Sequence, residues 1–150
     1  MIVENWKRYT LFWAVIILLF FVYAFQEVLF FPVHSVHYWR QADCVSLALN
    51  FQETNNPLMP SIHNYISDHG TSGKSAGEFP GLYFLVGKLW SWFGVHLWMY
   101  RLINLSILFF ASFSLYKSLL KQWNDVFWSL FVSLFIFTSP LIVFYAPNFL

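Results

Sequence analysis

Charge is what this sequence has least of. Only 10% of its 150 residues are Asp, Glu, Lys or Arg, against about a quarter in an ordinary soluble domain. A chain of this length can bury a soluble core, but so few charges cannot coat one. The single cysteine, Cys44, excludes an internal disulfide and a thiolate metal cluster; it reads as a small buried hydrophobe. A formal net charge of +1 leaves no basic footprint for nucleic acid, and no internal repeat or low-complexity linker interrupts the chain. Hydrophobic residues are abundant at 59%, aromatic ones at 23%. The composition is that of a membrane protein.

The apolar runs predict an all-α, multi-pass membrane protein with about three transmembrane helices. Lys7 and Arg8 precede a run from Thr10 to Val33, long enough to cross a bilayer. Its bulky aromatics and missing small-residue cleavage site argue against a signal peptide. The two cations hold the N-terminus in the cytoplasm and send residues 34–96 outside. Residues 79–93 read as a span or as an interfacial helix. A span there would put Lys117 and Lys121 outside, against the positive-inside preference, so the interfacial reading is taken. Trp90, Trp92, Trp98 and Lys88 suit that depth. The second span is then 97–120. The third is 126–146, with a kink expected at Pro140. The chain stops on the apolar Leu150, which reads as an interruption within a longer protein. The expected location is the cytoplasmic (inner) membrane.

Polar chemistry is collected in the loop between the first two spans. Residues 34–81 hold four of the five histidines and four of the seven acids. Trp39–Phe51 has helical spacing: Arg40, Asp43 and Asn50 share a stripe near Ser46, and Trp39, Ala42, Val45 and Leu49 lie roughly opposite. This predicts a helix on the membrane surface with its polar side toward water or substrate. Asn56-Pro57 and Pro60 break the chain after it. Gly73-Lys74-Ser75 resembles the end of a phosphate-binding loop. The glycine required five residues before Gly73 is Asp68, however, and no strand precedes it.

In order along the chain stand an N-terminal span, WRQAD opening a surface helix, NF, a glycine-rich stretch ending EFPGLY, KLWSWFGVH, and an arginine opening a span. This ordered set resembles the GT-C membrane glycosyltransferases. It is most similar to the bacterial branch related to protein O-mannosyltransferases and the aminoarabinose transferase of lipid A. FYAPNFL resembles the segment after that family's third span. The resemblance implies the N-terminal part of a larger fold, not active in isolation. The implied reaction moves a sugar from a polyprenyl-phosphate donor to a hydroxyl of a lipid, glycan or protein at the extracytoplasmic face. It makes Asp43 the first-loop catalytic acid and Glu78 the acid of an E-x-P segment. Phe79 stands where the aminoarabinose transferases carry a lysine, and Lys74 is the candidate replacement.

The same residues have a chemical reading of their own. A carboxylate within reach of an acceptor hydroxyl can take its proton, which is the role assigned to Asp43. Arg40, one turn earlier, can orient Asp43 or grip phosphate. Glu78 precedes Pro80 at an expected helix start, where negative charge is stabilised. Asp43 and Glu78 with a phosphate can hold Mg²⁺ or Mn²⁺. His63 and His69 are assigned to substrate lining, since the histidine spacing fits no standard zinc template. Two alternatives stay open. Asp43 and Arg40 can form a surface ion pair and nothing more, and the chain can be a small non-catalytic membrane protein binding a lipid or partner subunit through this loop. A transporter subunit fits less well, because the ionisable groups gather outside the spans.

Overall fold

A computed structural model describes residues 2–33, 37–61, 73–74 and 80–148. Every regular element among the described residues is helical. They are α1 (Ile2–Val22), α2 (Phe25–Val28), α3 (Tyr38–Glu53), α4 (Gly81–Phe93), α5 (Leu97–Trp123), α6 (Val126–Leu134), a 3-10 turn (Phe135–Thr138) and α7 (Pro140–Tyr145). The chain divides into two compact units. One combines Met1–Phe30 with Arg101–Asn148; the other is built on Phe31–Tyr100.

The first unit has three antiparallel segments: α1–α2, α5, and α6–α7. At one end Arg8 Nη1 donates to Asn124 Oδ1 at 3.0 Å, and the Tyr116 hydroxyl donates to the Arg8 carbonyl at 3.1 Å. At the other, Arg101 donates to the Val28 carbonyl and Asn104 Nδ2 to the Asn148 carbonyl. Arg101 and Asn124 lie about 35 Å apart along α5 at 1.5 Å per residue. Between these ends Phe12, Ile16, Tyr116, Leu120 and Phe137 form a buried cluster. Phe12 stacks on Tyr116 with ring centroids 5.0 Å apart, and Phe109 lies against both Phe25 and Phe137. Aromatic side chains, not close backbones, fill this interior. The outward faces are also apolar, with Leu11, Ile17, Phe21, Ile107, Phe110 and Phe131 all exposed.

Two of the three segments are broken, the first where continuous helix is expected from sequence and the third ahead of the kink expected at Pro140. The first helix starts at Ile2 and stops at Val22, short of the expected 10–33. Ala24 sits in the left-handed region at φ 53°, which terminates the helix before α2 adds one further turn. The third segment loses its regular helix at Leu134, several residues ahead of Pro140. Ser139 then leads into α7, with Pro140 at its first position, where a missing N–H costs nothing. The Tyr23 hydroxyl donates to the Phe137 carbonyl, tying one break to the other. By contrast, α5 starts at the expected residue and runs 27 residues. It is long and apolar enough to cross a membrane.

In the second unit α3 and α4 pack face to face. A Cβ on Gly87 would lie 2.5 Å from the Ala48 carbonyl oxygen and 2.8 Å from Phe51 Cβ, so only glycine permits this approach. Around it Gln41, Cys44, Ala48 and Phe51 of α3 are buried with Tyr83, Val86 and Trp90 of α4. These spacings mark one face of each helix. The helix α4 has 13 residues, about 20 Å, less than the roughly 30 Å of a hydrocarbon core. It ends at Gly94, φ 85°, whose N–H donates to the Trp90 carbonyl at 3.0 Å.

Adding a methyl at Gly87 brings a helix-propensity gain of about 1 kcal/mol, but a backbone carbonyl cannot rotate away from it. Overpacking of this kind costs about 1–3 kcal/mol. Thermal unfolding in neutral detergent is therefore expected to show a lower midpoint for Gly87→Ala and a lower one still for Gly87→Val, which lacks the propensity gain. A raised midpoint for Gly87→Ala would contradict the close approach.

Candidate functional site

The α3–α4 pair determines which side chains of the first loop are held and which are presented. The packed face of α3 is Gln41, Cys44, Ala48 and Phe51. It is a different face from the apolar side, opposite the polar stripe, that the sequence lays on a membrane surface. Trp39 on that face is 66% exposed, while Ala42, Val45 and Leu49 are half-buried. The helix therefore carries a stripe toward α4, a half-buried apolar stripe that leaves Trp39 exposed, and a polar stripe beside which Ser46 is buried.

Arg40 is exposed and Asp43 half-buried, one turn apart on the polar stripe. Neither belongs to the buried face, so their positions are set by the packing of their neighbours. Further along the same stripe, Asn50 Nδ2 donates to the Ser61 carbonyl. Ser61 is paired in an isolated antiparallel bridge with Lys74. The loop lysine is thereby tethered to the C-terminal part of the helix that carries Asp43. Asn50 lies seven residues after Asp43, about 10 Å along the helix axis. Lys74 itself is exposed. Glu78, His63 and His69 lie outside the described residues.

At the C-terminal end of α3 a polar clasp closes the pair. Lys88 Nζ donates to Asn55 Oδ1 at 2.7 Å and lies 5.5 Å from the centroid of the Phe84 ring. Ser91 Oγ donates to the Gln52 carbonyl at 3.0 Å. Beyond α3, Asn56 Oδ1 accepts from the Leu58 N–H at 3.0 Å, an Asx turn that begins the return. Trp90 does not face an interface: it is fully buried, and its indole N–H donates to the His96 carbonyl at 3.0 Å. Trp92, at 76% exposure, is the outward tryptophan of α4. Sequence reading placed both together because tryptophan serves cores and interfaces equally well.

Inside the pair, Cys44 Sγ lies 3.4 Å from the Tyr83 hydroxyl, and Tyr83 stacks on Tyr100 with centroids 6.0 Å apart. Burial pushes the Cys44 thiol up, against a lowering by its Tyr83 hydrogen bond. Burial, followed by the neighbouring Tyr100, pushes the Tyr83 phenol far above its ordinary range. A thiol held neutral is a poor nucleophile, so Cys44 is part of the scaffold behind Asp43. Sequence reading missed Gly87, Asn55 and Tyr83. Of these only Gly87 left a signal, a glycine inside a helical pattern.

Among the described residues no group of three His, Cys, Asp or Glu side chains gathers as a metal donor set. Asp43 is the one member of the proposed Mg²⁺ or Mn²⁺ pair that falls within them. Compared with protein-family models, curated proteins and solved structures, the chain matches none.

The raised thiol has a consequence for stability. Below about pH 8.5, the ordinary thiol value, both folded and unfolded Cys44 are protonated and the group is silent. Above it the unfolded chain loses the proton while the folded one keeps it, so stability falls as pH rises toward the folded value. The unfolding midpoint is expected to drop between pH 8 and 9.5 in wild type and to drop less in Cys44→Ala. Equal slopes in the two proteins would rule out the buried neutral thiol.

Proposed function

We propose that this chain is part of a membrane glycosyltransferase of the GT-C kind, with Asp43 as the base that activates an acceptor hydroxyl. The membrane part of this reading is supported by the first unit. A soluble monomer rarely exposes apolar patches beyond a few hundred Å², whereas here the outer faces of α1, α5 and α6 expose large apolar side chains such as Ile17, Phe21, Ile107, Phe110, Phe127 and Phe131. Bilayer hydrocarbon is the solvent that suits such faces. The two ends, about 35 Å apart along α5, match a bilayer crossing. The proposed topology has α1, α5 and α6–α7 each crossing, the N-terminus in the cytoplasm and residues 34–96 on the extracytoplasmic side of the inner membrane.

The observation that carries the catalytic reading is the placement of Asp43. It stands half-buried on the polar stripe of α3, a helix that packs on α4 through the close approach at Gly87, while a lysine is tethered to the same helix through Ser61 and Asn50. A sugar on a polyprenyl phosphate already bears its leaving group. The acceptor oxygen forms a bond to the anomeric carbon and the bond from that carbon to phosphate oxygen breaks. The electron pair leaves with the phosphate, and the acceptor proton goes to the Asp43 carboxylate. Such a reaction needs positioning and charge stabilisation above all. Arg40 and Lys74 are the cations offered to the departing phosphate. Glu78 is the proposed second acid, and a divalent cation between the two carboxylates would add further counter-charge.

Asp43→Asn keeps the shape of the side chain and removes the base. General-base removal costs about 10²–10⁴ in rate. In membranes from cells expressing the complete protein of which this chain is part, transfer from a polyprenyl-phosphate sugar is expected to fall by that factor, with membrane insertion and protein level unchanged. Wild-type turnover by the variant would overturn the role of Asp43. It would favour the alternative in which the loop binds a lipid or a partner subunit without catalysis.

A further inference from the structure

The end of the first unit opposite Arg101 gathers the cations of two sequence-distant segments. Lys7 and Arg8 belong to the first turns of α1, and Lys117 and Lys121 to the last turns of α5. Their shared location is established by two contacts already described. The Arg8 guanidinium donates to Asn124, just past α5, and Tyr116, next to Lys117, donates to the Arg8 carbonyl. Lys7, Lys117 and Lys121 are exposed. Two acids stand against these four cations in the local sequence, Glu4 and Asp125. The Asp125 carboxylate is turned to the start of α6, where it accepts from the Trp128 N–H at 2.9 Å. Trp6 and Trp123 flank the cations at 73% and 46% exposure, as tryptophans do at headgroup depth.

We infer that this end of the molecule binds the phosphate headgroups of anionic phospholipids, with Lys7, Arg8, Lys117 and Lys121 as the cations and Trp6 and Trp123 at the glycerol level. Two helices supply the charges, so the site exists only when α1 and α5 are paired. An anionic lipid that bridges them therefore stabilises the pairing itself. The inference rests on the membrane placement of the first unit and is independent of any catalysis at Asp43. Charge complementarity selects the partner: a zwitterionic headgroup presents no net charge to four cations, and each Lys or Arg near an anionic surface contributes about fivefold in affinity.

The test is a lipid titration of the full 150-residue chain in neutral detergent. It follows bound lipid by native mass spectrometry and the unfolding midpoint in parallel. Phosphatidylglycerol is expected to bind at least tenfold more tightly than phosphatidylcholine and to raise the midpoint, with the preference shrinking in high salt. Lys117→Gln with Lys121→Gln, both at exposed positions outside the core, is expected to weaken phosphatidylglycerol binding by roughly 25-fold with the lipid-free midpoint unchanged. Inorganic phosphate at matched concentration is expected to give no shift; an equal shift would overturn the lipid and leave a simple anion site. Equal affinity for the two lipids, or a double variant that binds as wild type does, would also overturn the inference. Failure of the underlying membrane reading would look different: the chain would stay dispersed without detergent and would not incorporate into phosphatidylcholine vesicles.

Discussion

The approach of α3 to α4 across Gly87 is the constraint on which the first loop depends. With no Cβ at that position, a helix backbone lies against the Ala48 carbonyl, closer than any side chain would allow. Everything useful about the loop follows from that contact. It buries one stripe of α3, orients the other two, and fixes the line along which Arg40, Asp43 and Asn50 stand. The Lys88–Asn55 and Ser91–Gln52 hydrogen bonds then close the far end of the pair. A short amphipathic helix alone would be marginal in water, and here it becomes a rigid mount for a carboxylate.

The first unit is held by a different principle. Its helices are separated by aromatic rings, and its two breaks are joined by the Tyr23 hydroxyl on the Phe137 carbonyl. Broken helices leave backbone groups without partners, which is costly in hydrocarbon unless a neighbour supplies them. Tyr23 supplies one. Thr138 Oγ1 donates to the Phe135 carbonyl at 2.7 Å and supplies another. Elsewhere in this unit Ser106, Ser114 and Ser129 donate to carbonyls one turn earlier, which leaves few of the described hydroxyls without a partner.

Much of this was legible from residue types. The helical class, the start of α5 at Leu97, the interruption around Pro140 and the polar stripe of α3 all follow from spacing and from proline chemistry. The break at Ala24 was not legible, because alanine is the strongest helix former and gives no warning of a left-handed residue. The face of α3 that packs on α4 was not legible for a related reason: Gln41 and Cys44 are weak hydrophobic signals beside Trp39 and Leu49. Trp90 and Trp92 are two residues apart and have opposite fates, decided by which side of α4 meets α3.

The sequence by itself determined the apolar character and the local elements of this protein. Scarce charge and long apolar runs leave, among the described residues, one helix, α5, long and apolar enough to cross a membrane, and helix periodicity with glycine and proline breakers sets where the chain turns. Only the tertiary structure decided which residues meet. It brought Lys74 to the helix of Asp43 through a serine carbonyl and an asparagine, and it gathered the cations of α1 and α5 at one end. Those pairings depend on distances between segments far apart in the chain. Such distances are set by packing volumes, here the missing Cβ of Gly87 and the ring stack of Phe12 on Tyr116, which no local pattern of hydrophobicity encodes.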